Sequence, residues 1–449
     1  GESYEALSSG GRLMQPTGQV APGAAALALQ AQNDLNRILL DDNTNDQNPD
    51  PISFAQGGEL LSAGNTLRVG NSAVGIVGVM TYTWGGNSAS PNAYRVRPIN
   101  ALGGGYPDFQ EITNPRPFDA VWMTGRLRVA SMNLLNYFNT FGTGACTLGV
   151  GGASTDCRGA DNPTEFDRQW PKLVDAILAT GAHVVGLVEL ENDGYGASSA
   201  LQDLVNRLNA ATAPGTFAFI DADALTGQVN ALGTDAIKVG LIYRPAAVTP
   251  VGATAVLNST AFVTGGDASA RNRPALAQAF AENATGSRFI VVVNHLKSKG
   301  SACDAPDAGD GQGNCNLVRT NAANLLTAWL AGNPTGTGDP DVLITGDLNA
   351  YAMEDPITAI QGAGYTNLIA QYNGASAYSY VFDGQSGYLD HALASAGLAL
   401  QVTGVVEHHI NADEPVVLDY NTEYKTAGQL VSLYTALKFR ASDHDPVVV

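Results

Sequence analysis

Apolar runs and stretches of helical periodicity alternate along the chain from residue 126 to its end. An apolar run bounded by turn residues predicts a strand, and apolar residues spaced by three and four predict a helix. Strands are predicted at 127–133, 183–190, 236–243, 288–294, 341–345, 389–394 and 446–449, and helices at 170–180, 198–212 and 317–330. Several strands are apolar on both faces, as in Val291-Val292-Val293, which is typical of a sheet covered on both sides. This part of the chain is therefore predicted to be an α/β domain.

Residues 1 to 125 show a different pattern. A stretch with helical potential at 24–40 precedes a cluster of Asp, Asn and Pro at 41–51, and short β-type runs follow at 67–69, 74–84 and 94–97. The prolines of the segment 114–117 favour an extended linker. We predict a small β-rich accessory module with its linker over residues 1–125 and a larger domain over residues 126–449. Because the first residue is Gly and not Met, we expect that a leader or an upstream segment has been removed.

Composition limits the function classes. A chain of 449 residues with 45% hydrophobic content is long enough for a large packed core and a smaller module. No apolar run reaches the roughly 18 residues that span a bilayer, so no stable membrane association is expected. The formal net charge of −19 argues against a storage or architectural nucleic-acid binder, which would be basic. An enzyme that releases a polyanion after each turnover needs only a local positive patch.

The four cysteines form two local pairs, Cys146 with Cys157 and Cys303 with Cys315. Neither pair has the Cys-x-x-Cys spacing of a zinc or redox site, which favours two loop-closing disulfides. Each disulfide would remove roughly 2–3 kcal/mol of unfolded-state entropy. Disulfides persist in oxidising compartments, so the pairs predict a periplasmic, vesicular or secreted protein, with four buried free thiols as the alternative.

Polar residues stand where the predicted apolar strands end or begin. The set comprises Asn133, Glu189 with Glu191, Asn294-His295, Gly346-Asp347-Leu348-Asn349, Asp390, and Ser442-Asp443-His444-Asp445. Each position taken singly is explained by a solvated strand end. Taken together, the set is dominated by carboxylates, Asn and His. We therefore expect these side chains to form one site.

The chemistry of this set favours a hard divalent cation. Carboxylate and amide oxygens suit Mg²⁺ or Mn²⁺, and the lack of thiolates in the set argues against zinc. A bound cation of this kind neutralises phosphate charge, while a His held by a carboxylate deprotonates water. This combination predicts hydrolysis of a phosphodiester.

These motifs resemble those of the endonuclease/exonuclease/phosphatase superfamily, to which pancreatic-type deoxyribonucleases and abasic-site endonucleases belong. The motifs that carry the resemblance are Ser131-Met132-Asn133, Gly186-Leu187-Val188-Glu189, Asn294-His295-Leu296, Gly346-Asp347-Leu348-Asn349, Leu389-Asp390-His391 and Ser442-Asp443-His444-Asp445-Pro446. All six occur in the family's order, and the resemblance implies a four-layered, two-sheet α/β sandwich of the DNase I type with its site at one rim.

Two further segments are similar to the large extracellular nucleases of bacteria. They are Arg12-Leu13-Met14-Gln15-Pro16-Thr17 and Asn411-Ala412-Asp413-Glu414-Pro415. The segment Asn133-Leu134-Leu135-Asn136-Tyr137-Phe138, which extends the first motif, is similar to the same nucleases. This similarity implies that residues 1–125 are the end of a preceding β-rich region, with more protein upstream. It leaves open whether the protein continues beyond Val449.

The resemblance implies a metal site and its ligands. Glu189 would be the main ligand, with Asn133 and Asp443 near the same Mg²⁺ or Mn²⁺, and Ca²⁺ is left open as an additional ion. The position before the ligand is usually Gln in the family and is Val188 here. This departure leaves Glu191 as a rival ligand, but the Gly-Leu pair before Val188 favours Glu189.

The catalytic roles are implied in the same way. Asp347 would position or deprotonate the attacking water, and Asp390 would orient His444 as the second half of the acid/base apparatus. His295 would contact phosphate or donate a proton to the leaving oxygen. The sequence does not decide which group is the base.

Substrate phosphates would be held by Asn349 and by basic residues near the site. Arg244 and Arg273 stand at a strand end and a loop where related nucleases contact phosphate, and Lys297 follows His295 closely. Lys297 and Lys299 are equally well explained as surface lysines.

Several remaining groups have a structural explanation that we prefer to a functional one. For His391 this explanation is packing, because it should point to the opposite sheet face from Asp390. The others are a solvated loop at Asp41, Asp42 and Asp46, a structural insertion at His408, His409, Asp413 and Glu414, and an incomplete calcium pattern at Asp304, Asp307 and Asp310.

The function expected from the sequence is that of a secreted or periplasmic bacterial nuclease, favoured as a monomer, that hydrolyses extracellular DNA, with RNA left open. One alternative is a lipid head-group phosphodiesterase of the same superfamily, which would need exposed aromatic or apolar loops. The other is a catalytically silent binding protein, which a loss of His444 or Asp347 would have favoured.

Overall fold

A computed structural model of the chain describes residues 4–44, 46–84, 92–98 and 105–449. The strands in these ranges are β1 Tyr4–Leu7, β2 Leu13–Met14, β3 Ile38–Asp41, β4 Gly78–Thr83, β5 Ala93–Pro98, β6 Val129–Tyr137, β7 Cys146–Thr147, β8 Ser154–Thr155, β9 Val184–Glu191, β10 Ala218–Phe219, β11 Ile237–Tyr243, β12 Val248–Leu257, β13 Ala275–Glu282, β14 Arg288–His295, β15 Val342–Asp347, β16 Tyr365–Asn367, β17 Tyr380–Phe382, β18 Gln385–Gly387, β19 Asp390–Ser395, β20 Val406–Glu407 and β21 Val447–Val448. The α-helices are α1 Pro16–Gln19, α2 Ala24–Leu35, α3 Pro163–Thr180, α4 Ala200–Ala211, α5 Ala222–Thr226, α6 Thr260–Thr264, α7 Asn316–Ala331, α8 Asp355–Gly362, α9 Leu368–Asn373, α10 Ala396–Ala399 and α11 Gln429–Ser432.

Two six-stranded sheets pack face to face at the centre. One has the strand order β10-β11-β9-β6-β21-β20 and the other β12-β13-β14-β15-β19-β16. The layer between them is apolar, with Val188 and Leu241 from the first sheet packing in the same cluster as Val293 and Leu343 from the second. The central strands are apolar on both faces, so their side chains pack in this inner layer and also against the helices outside. The predicted two-sheet sandwich is therefore confirmed.

Helices cover the outer face of each sheet. On the first sheet, α3 and α4 contribute Leu173, Ile177 and Leu204 to a cluster with Met132 and Leu187 of β6 and β9. On the second sheet, α7 and α8 pack in the same way, through Leu326 and Ile360 against Val292 and Ile344. The result is the four-layered arrangement that the resemblance implied.

Helix α3 begins earlier than the predicted residue 170. The side chain of Asn162 accepts a hydrogen bond from the backbone N–H of Glu165, and the Glu165 carboxylate accepts one from the N–H of Asp161. This reciprocal capping, with Pro163 in the first turn, starts the helix at Pro163. Pro171 therefore lies inside the helix and does not mark its beginning.

The amino-terminal region forms its own four-stranded sheet in the order β1-β3-β5-β4. The stretch predicted as a helix at 24–40 divides into α2 and β3, and the predicted β-run at 67–69 lies outside the regular strands. Contacts cross the predicted boundary at 125/126, because β2 pairs in parallel with β18. Leu40 and Phe54 also share an apolar cluster with Leu418. The division into two domains stays a prediction.

Both predicted disulfides are present. Cys146 is bonded to Cys157 and Cys303 to Cys315. Within the described ranges, none of the helices combines the length and the apolar character that a membrane crossing requires.

Candidate active site

The polar residues at the strand ends gather at one rim of the two sheets. Asp347, at the end of β15, is paired in register with His295 on the parallel strand β14 and with Asp390 on the antiparallel strand β19. Asn133 near the end of β6 is in register with Val188 of β9, one residue before Glu189. The parallel strands of both sheets therefore deliver their carboxyl ends to the same rim.

Gly346 allows β14 and β15 to approach closely just before the rim. Its φ angle is +114°, and a Cβ atom at this position would lie 2.1 Å from the backbone oxygen of Asn294. Any larger residue would push the strands apart. Gly346 thus fixes the spacing between His295 and Asp347.

Asp347 is a buried carboxylate with a raised pKa. Its Oδ1 accepts a hydrogen bond from the Asn349 N–H at 2.8 Å, and its Oδ2 accepts one from Asn349 Nδ2 at 3.0 Å. Burial, together with the charges of Asp390 and Glu189, raises the pKa of Asp347 to about 7, although the positive charge of His444 opposes the shift. Asp347 is therefore able to take up and release a proton near neutral pH.

His295 is neutral in this environment. It is 3% exposed, and its Nε2 lies 3.7 Å from Asp347 Oδ2. Burial holds its pKa well below the ordinary value, and the charges of Arg273 and His444 act in the same direction. Its Nδ1 is buried without a hydrogen-bond partner among the described residues.

His444 and Asp390 form a hydrogen-bonded pair. His444 Nδ1 lies 2.7 Å from Asp390 Oδ2, and the same oxygen accepts a hydrogen bond from Ser379 Oγ at 2.7 Å. Burial alone would lower the pKa of His444, but Asp390, Asp443 and Asp347 outweigh it and hold the pKa well above the ordinary value. The Tyr380 ring stacks on the imidazole with centroids 4.4 Å apart.

Glu189 sits at an irregularity in its strand. The register between β9 and β11 shifts beside it, and its own φ angle is +62°, which is strained for a residue other than Gly. Its Oε2 accepts a hydrogen bond from the Asn136 N–H at 3.1 Å. Burial and the charge of Asp443 raise the pKa of Glu189. Among the described residues, no Lys or Arg forms an ion pair with the carboxylate of Glu189 or of Asp443.

Glu191 has a different environment. Its Oε2 accepts hydrogen bonds from the backbone N–H groups of Asn139 and Thr140 at 2.9 and 3.2 Å. Its Oε1 lies 3.4 Å from the Sγ atom of Cys146. Glu191 therefore holds the loop that follows β6, and it is Glu189 that faces Asp443.

Basic residues line one side of the rim. The Arg273 N–H donates to the backbone oxygen of His295, and Arg273 Nε is 2.9 Å from Asp235 Oδ2. Arg158, which follows the first disulfide loop, reaches the other oxygen of Asp235 at 3.4 Å. Lys297 lies beside them, with its Nζ bonded to Ser301 Oγ at 2.9 Å.

Arg244 lies elsewhere, contrary to the expectation that it would be near the site. Its backbone N–H bonds to the oxygen of His183, at the beginning of β9, whereas Glu189 is near the other end of that strand. Its guanidinium packs over the Phe217 ring at 4.8 Å. Because β11 runs antiparallel to β9, the end of β11 points away from the rim.

The other candidates have structural surroundings. His391 is fully buried and its Nε2 lies 2.7 Å from the Ala350 oxygen, as expected for packing. Lys299 is paired with Glu354. Asp41 is buried and paired with Arg95 and Arg97, so it does not lie in the solvated loop expected at 41–51.

The acidic side chains of the second cysteine loop also have local partners. Asp304 bonds to Arg271, Asp307 to the Gly309 N–H, and Asp310 to Gln312. One compact group of three acidic side chains does occur in the described part of the chain, formed by Asp161, Glu165 and Glu423 at the start of α3. The N-terminus of a helix disfavours a cation at that position.

Four residues at the rim were not found by sequence reasoning: Ser379, Tyr380, Asp235 and Arg158. Ser379 and Tyr380 reach the site because β17 lies against the loop that carries His444. Asp235 and Arg158 reach it because the loop before β11 and the first disulfide loop meet. No local pattern marks these contacts, which join residues distant in sequence.

Comparison with known families identifies the chain. A model described as the endonuclease/exonuclease/phosphatase family matches residues 138–444. The chain belongs to this family. Its members are hydrolases of phosphoester bonds, and the family is typically dependent on divalent metals. The matched range contains nearly the whole rim described above, with Asn133 just before it.

Solved structures of the endonuclease/exonuclease/phosphatase family are similar to the chain at low identity. The catalytic domain of human Nocturnin with bound sulfate is 17% identical over 72% of this chain and 91% of that chain, with a TM-score of 0.42. TDP2 of D. rerio complexed with single-strand DNA product is 14% identical, over 72% and 97%, with a TM-score of 0.41. A mannosyl-6-phosphatase of Bacteroides thetaiotaomicron is 15% identical, over 72% and 98%, with a TM-score of 0.40. A search of curated proteins found no match.

Proposed function

We propose that this chain is a metal-dependent nuclease that hydrolyses phosphodiester bonds of extracellular DNA. The observation that carries the proposal is the placement of Glu189 and Asp443 beside the His444–Asp390 pair and Asp347, at a rim flanked by Arg273 and Lys297. Carboxylates that form no ion pair with a described Lys or Arg, acid/base groups and positive charges for phosphate are thereby combined in one place.

The donor set fits a hard divalent cation. Glu189 and Asp443 bring two carboxylates together, and the side chain of Asn133 lies beside Glu189 and lowers its pKa. Two close carboxylates without a Lys or Arg partner favour a cation between them, and all three side chains offer oxygen. When bound, Mg²⁺ or Mn²⁺ would neutralise phosphate charge and stabilise the leaving oxygen. Ca²⁺ is the candidate for an additional ion.

The side chains around this set account for the movement of protons. Asp390 accepts from His444 Nδ1, so the imidazole presents Nε2 as its remaining polar atom. Asp347, whose pKa is about 7, would position the attacking water or accept its proton, and His444, which its carboxylate neighbours keep protonated, would donate a proton. His295, being neutral, can donate a hydrogen bond from one ring nitrogen to a phosphate oxygen or to the leaving oxygen. Asn349 lies beside Asp347, and we assign to it the contact with the scissile phosphate.

The charges around the rim favour a polyanionic chain as substrate. The protein has a net charge of −19, yet Arg273, Lys297 and Arg158 lie together beside His295. Positive charges spread along one side suit the successive phosphates of a nucleic acid. The two disulfides support a secreted or periplasmic location.

The test is cleavage of supercoiled plasmid with Mg²⁺, with and without EDTA, by wild type and by the Glu189→Gln, Glu191→Gln and His444→Ala variants. We expect EDTA to abolish nicking, and Glu189→Gln and His444→Ala to lower the rate by about 100-fold or more. Glu191→Gln is the matched control, because the amide oxygen still accepts the hydrogen bonds from Asn139 and Thr140. It should stay within about threefold of wild type.

Other substrates separate the alternatives. Linear and circular DNA distinguish end cleavage from internal cleavage, and RNA is tested beside them. Hydrolysis of sphingomyelin without cleavage of nucleic acid would replace the nuclease proposal with a lipid phosphodiesterase. Inactivity towards all of these with every divalent ion would leave the silent binding protein.

A further inference from the structure

Two segments singled out in the sequence have no role in the proposed chemistry, and the fold brings them together. Arg12 of the segment 12–17 forms an ion pair with Asp413 of the segment 411–415, with Nη1 and Oδ1 2.8 Å apart. The guanidinium also donates to the backbone oxygen of Val69 at 2.6 Å. An amino-terminal residue is thus tied to a loop about 400 positions later in the sequence.

The contacts of Arg12 lead towards the catalytic histidine. Its guanidinium lies 4.2 Å from the centre of the Tyr378 ring, and the Tyr378 hydroxyl donates to Asp413 Oδ2 at 2.9 Å. The same ring stacks on the imidazole of His409, with centroids 3.9 Å apart and planes 2° from parallel. His409 Nδ1 lies 2.9 Å from Asp445 Oδ2, and Asp445 adjoins His444.

Backbone contacts hold the loop that carries His444 from two sides. Asp445 Oδ1 accepts from the N–H groups of Asn411 and Ala412 at 2.7 and 3.0 Å, and Asn411 Nδ2 donates to the His444 oxygen at 2.7 Å. On the other side, the Asp445 N–H donates to the Ser379 oxygen at 2.8 Å. The segment 411–415 and the residues before β17 therefore set the position of this loop together.

The amino-terminal segment also completes the small sheet behind these residues. Strand β2 pairs with β18, and β18 pairs with β17, which begins at Tyr380 on the face of His444. Gln15 reinforces the pairing, since its Nε2 donates to the Phe382 oxygen at 3.1 Å. The segment thus supports both Ser379, which bonds to Asp390, and Tyr380, which stacks on His444.

We infer that Arg12 is a positioning residue of the active site: through Asp413, Tyr378 and His409, it fixes the loop 442–445 in the place where His444 meets Asp390. Arg12 is ion-paired with Asp413, donates to the Val69 oxygen and lies over the Tyr378 ring, so it acts through other residues and does not take part in the chemistry. The functional unit accordingly includes residues 12–17, and it begins well before residue 126.

The inference uses the proposed function for one of its two readouts. Plasmid cleavage gives kcat and KM, and hydrogen exchange of backbone amides at 409–412 and 442–445 reports the loop directly. Arg12→Met should lower kcat about 10-fold, because small misplacements of a catalytic group are costly, while KM changes less than twofold. Exchange in both segments should become faster. Arg12→Lys, which keeps the charge opposite Asp413, should recover part of kcat.

The matched control is Arg97→Met, which removes an ion pair with Asp41 in the amino-terminal sheet. It should lower the melting temperature without changing kcat or the exchange of 442–445. If Arg12→Met does not fold, Tyr378→Phe takes its place, because it removes the bond to Asp413 and keeps the ring; a drop in kcat of about threefold is expected.

The inference is overturned if Arg12→Met leaves kcat and exchange at wild-type values, or if Arg97→Met changes both to the same degree. If wild type cleaves no nucleic acid, the proposed function fails and the exchange data still decide the positioning role.

Discussion

Two buried charged clusters lie side by side in this molecule and differ in how their charges are balanced. The catalytic cluster consists of Glu189, Asp347, Asp390, Asp443 and His444. The arginine cluster consists of Arg12, Arg68, Arg116, Asp413 and Glu414. In the arginine cluster three guanidinium groups surround two carboxylates, with ion pairs at 2.5–3.0 Å. In the catalytic cluster four carboxylates share one imidazole.

The pKa shifts follow this difference. Burial alone would raise the pKa of Asp413, but Arg12 and Arg68 outweigh it and lower that pKa. At Glu189 and Asp347 burial and neighbouring carboxylates both raise the pKa. A buried charge that is fully paired serves the fold, whereas excess charge of one sign at a rim is the arrangement expected of a functional site.

The largest effect on stability is expected in the arginine cluster. Asp413→Asn leaves Arg12 without a charged partner and Arg68 with Glu414 alone, and Arg68 has no exposed side-chain surface. Breaking such a buried pair costs about 3–5 kcal/mol of unfolding free energy. Urea denaturation measures this loss of unfolding free energy. The control is Asp383→Asn, which removes an exposed ion pair with Arg37 and should change the unfolding free energy by less than about 1 kcal/mol. Equally small losses of unfolding free energy in Asp413→Asn and Asp383→Asn would contradict a stabilising role for the arginine cluster.

The catalytic cluster should show its imbalance as a dependence on pH. The pKa of Asp347 is raised to about 7, so the fold favours its protonated form. The resulting stabilisation is present in full below the unfolded pKa, near 4, and is lost as pH rises through about 7. This stabilisation amounts to about 1.4 kcal/mol for each unit by which the folded pKa of Asp347 exceeds its unfolded pKa.

Urea denaturation in EDTA from pH 4 to 8 measures this stabilisation. The wild type should lose stability relative to Asp347→Asn across that window. A difference between the two proteins that stays constant from pH 4 to 8 would be evidence against the raised pKa.

A smaller contrast separates the two ends of the sheets. Arg273→Ala removes a cation at the rim and should raise KM for DNA about 10-fold, as expected for one charged contact to phosphate. Arg244→Ala, at the opposite end, should leave kcat and KM unchanged. Steady-state cleavage of a defined oligonucleotide measures both, and an equal effect of the two variants would contradict the placement of the rim.

Most of the catalytic fold could be predicted from the sequence. The strands at the centre are continuous apolar runs, and the polar residues that follow them are brought together by strand direction alone. Strand β12 was missed because Pro250 and Gly252 interrupt it, and β13 because it contains four Ala and no β-branched residue. The start of α3 was predicted at residue 170 from the apolar spacing alone, whereas the capping pair Asn162 and Glu165 starts the helix at Pro163.

The contacts between distant segments could not be predicted. Arg244 was assigned to the rim because it ends a strand, but the sequence does not state that β11 runs antiparallel to β9. Ser379 and Tyr380 reach Asp390 and His444 through the packing of β17. Arg12 is connected to the loop that carries His444 only through Asp413, Tyr378 and His409. Contacts between segments hundreds of residues apart produce no periodic pattern in the local sequence, so the sequence does not predict them.

Binding of Mn²⁺, followed by electron paramagnetic resonance, tests whether the rim around Glu189 holds the catalytic metal. We expect one Mn²⁺ site in wild type that Glu189→Gln weakens at least 10-fold and that Glu423→Gln, in the acidic group at the start of α3, leaves unchanged. Binding that is insensitive to Glu189→Gln, or that is lost with Glu423→Gln, would contradict the assignment of the rim as the metal-dependent active site.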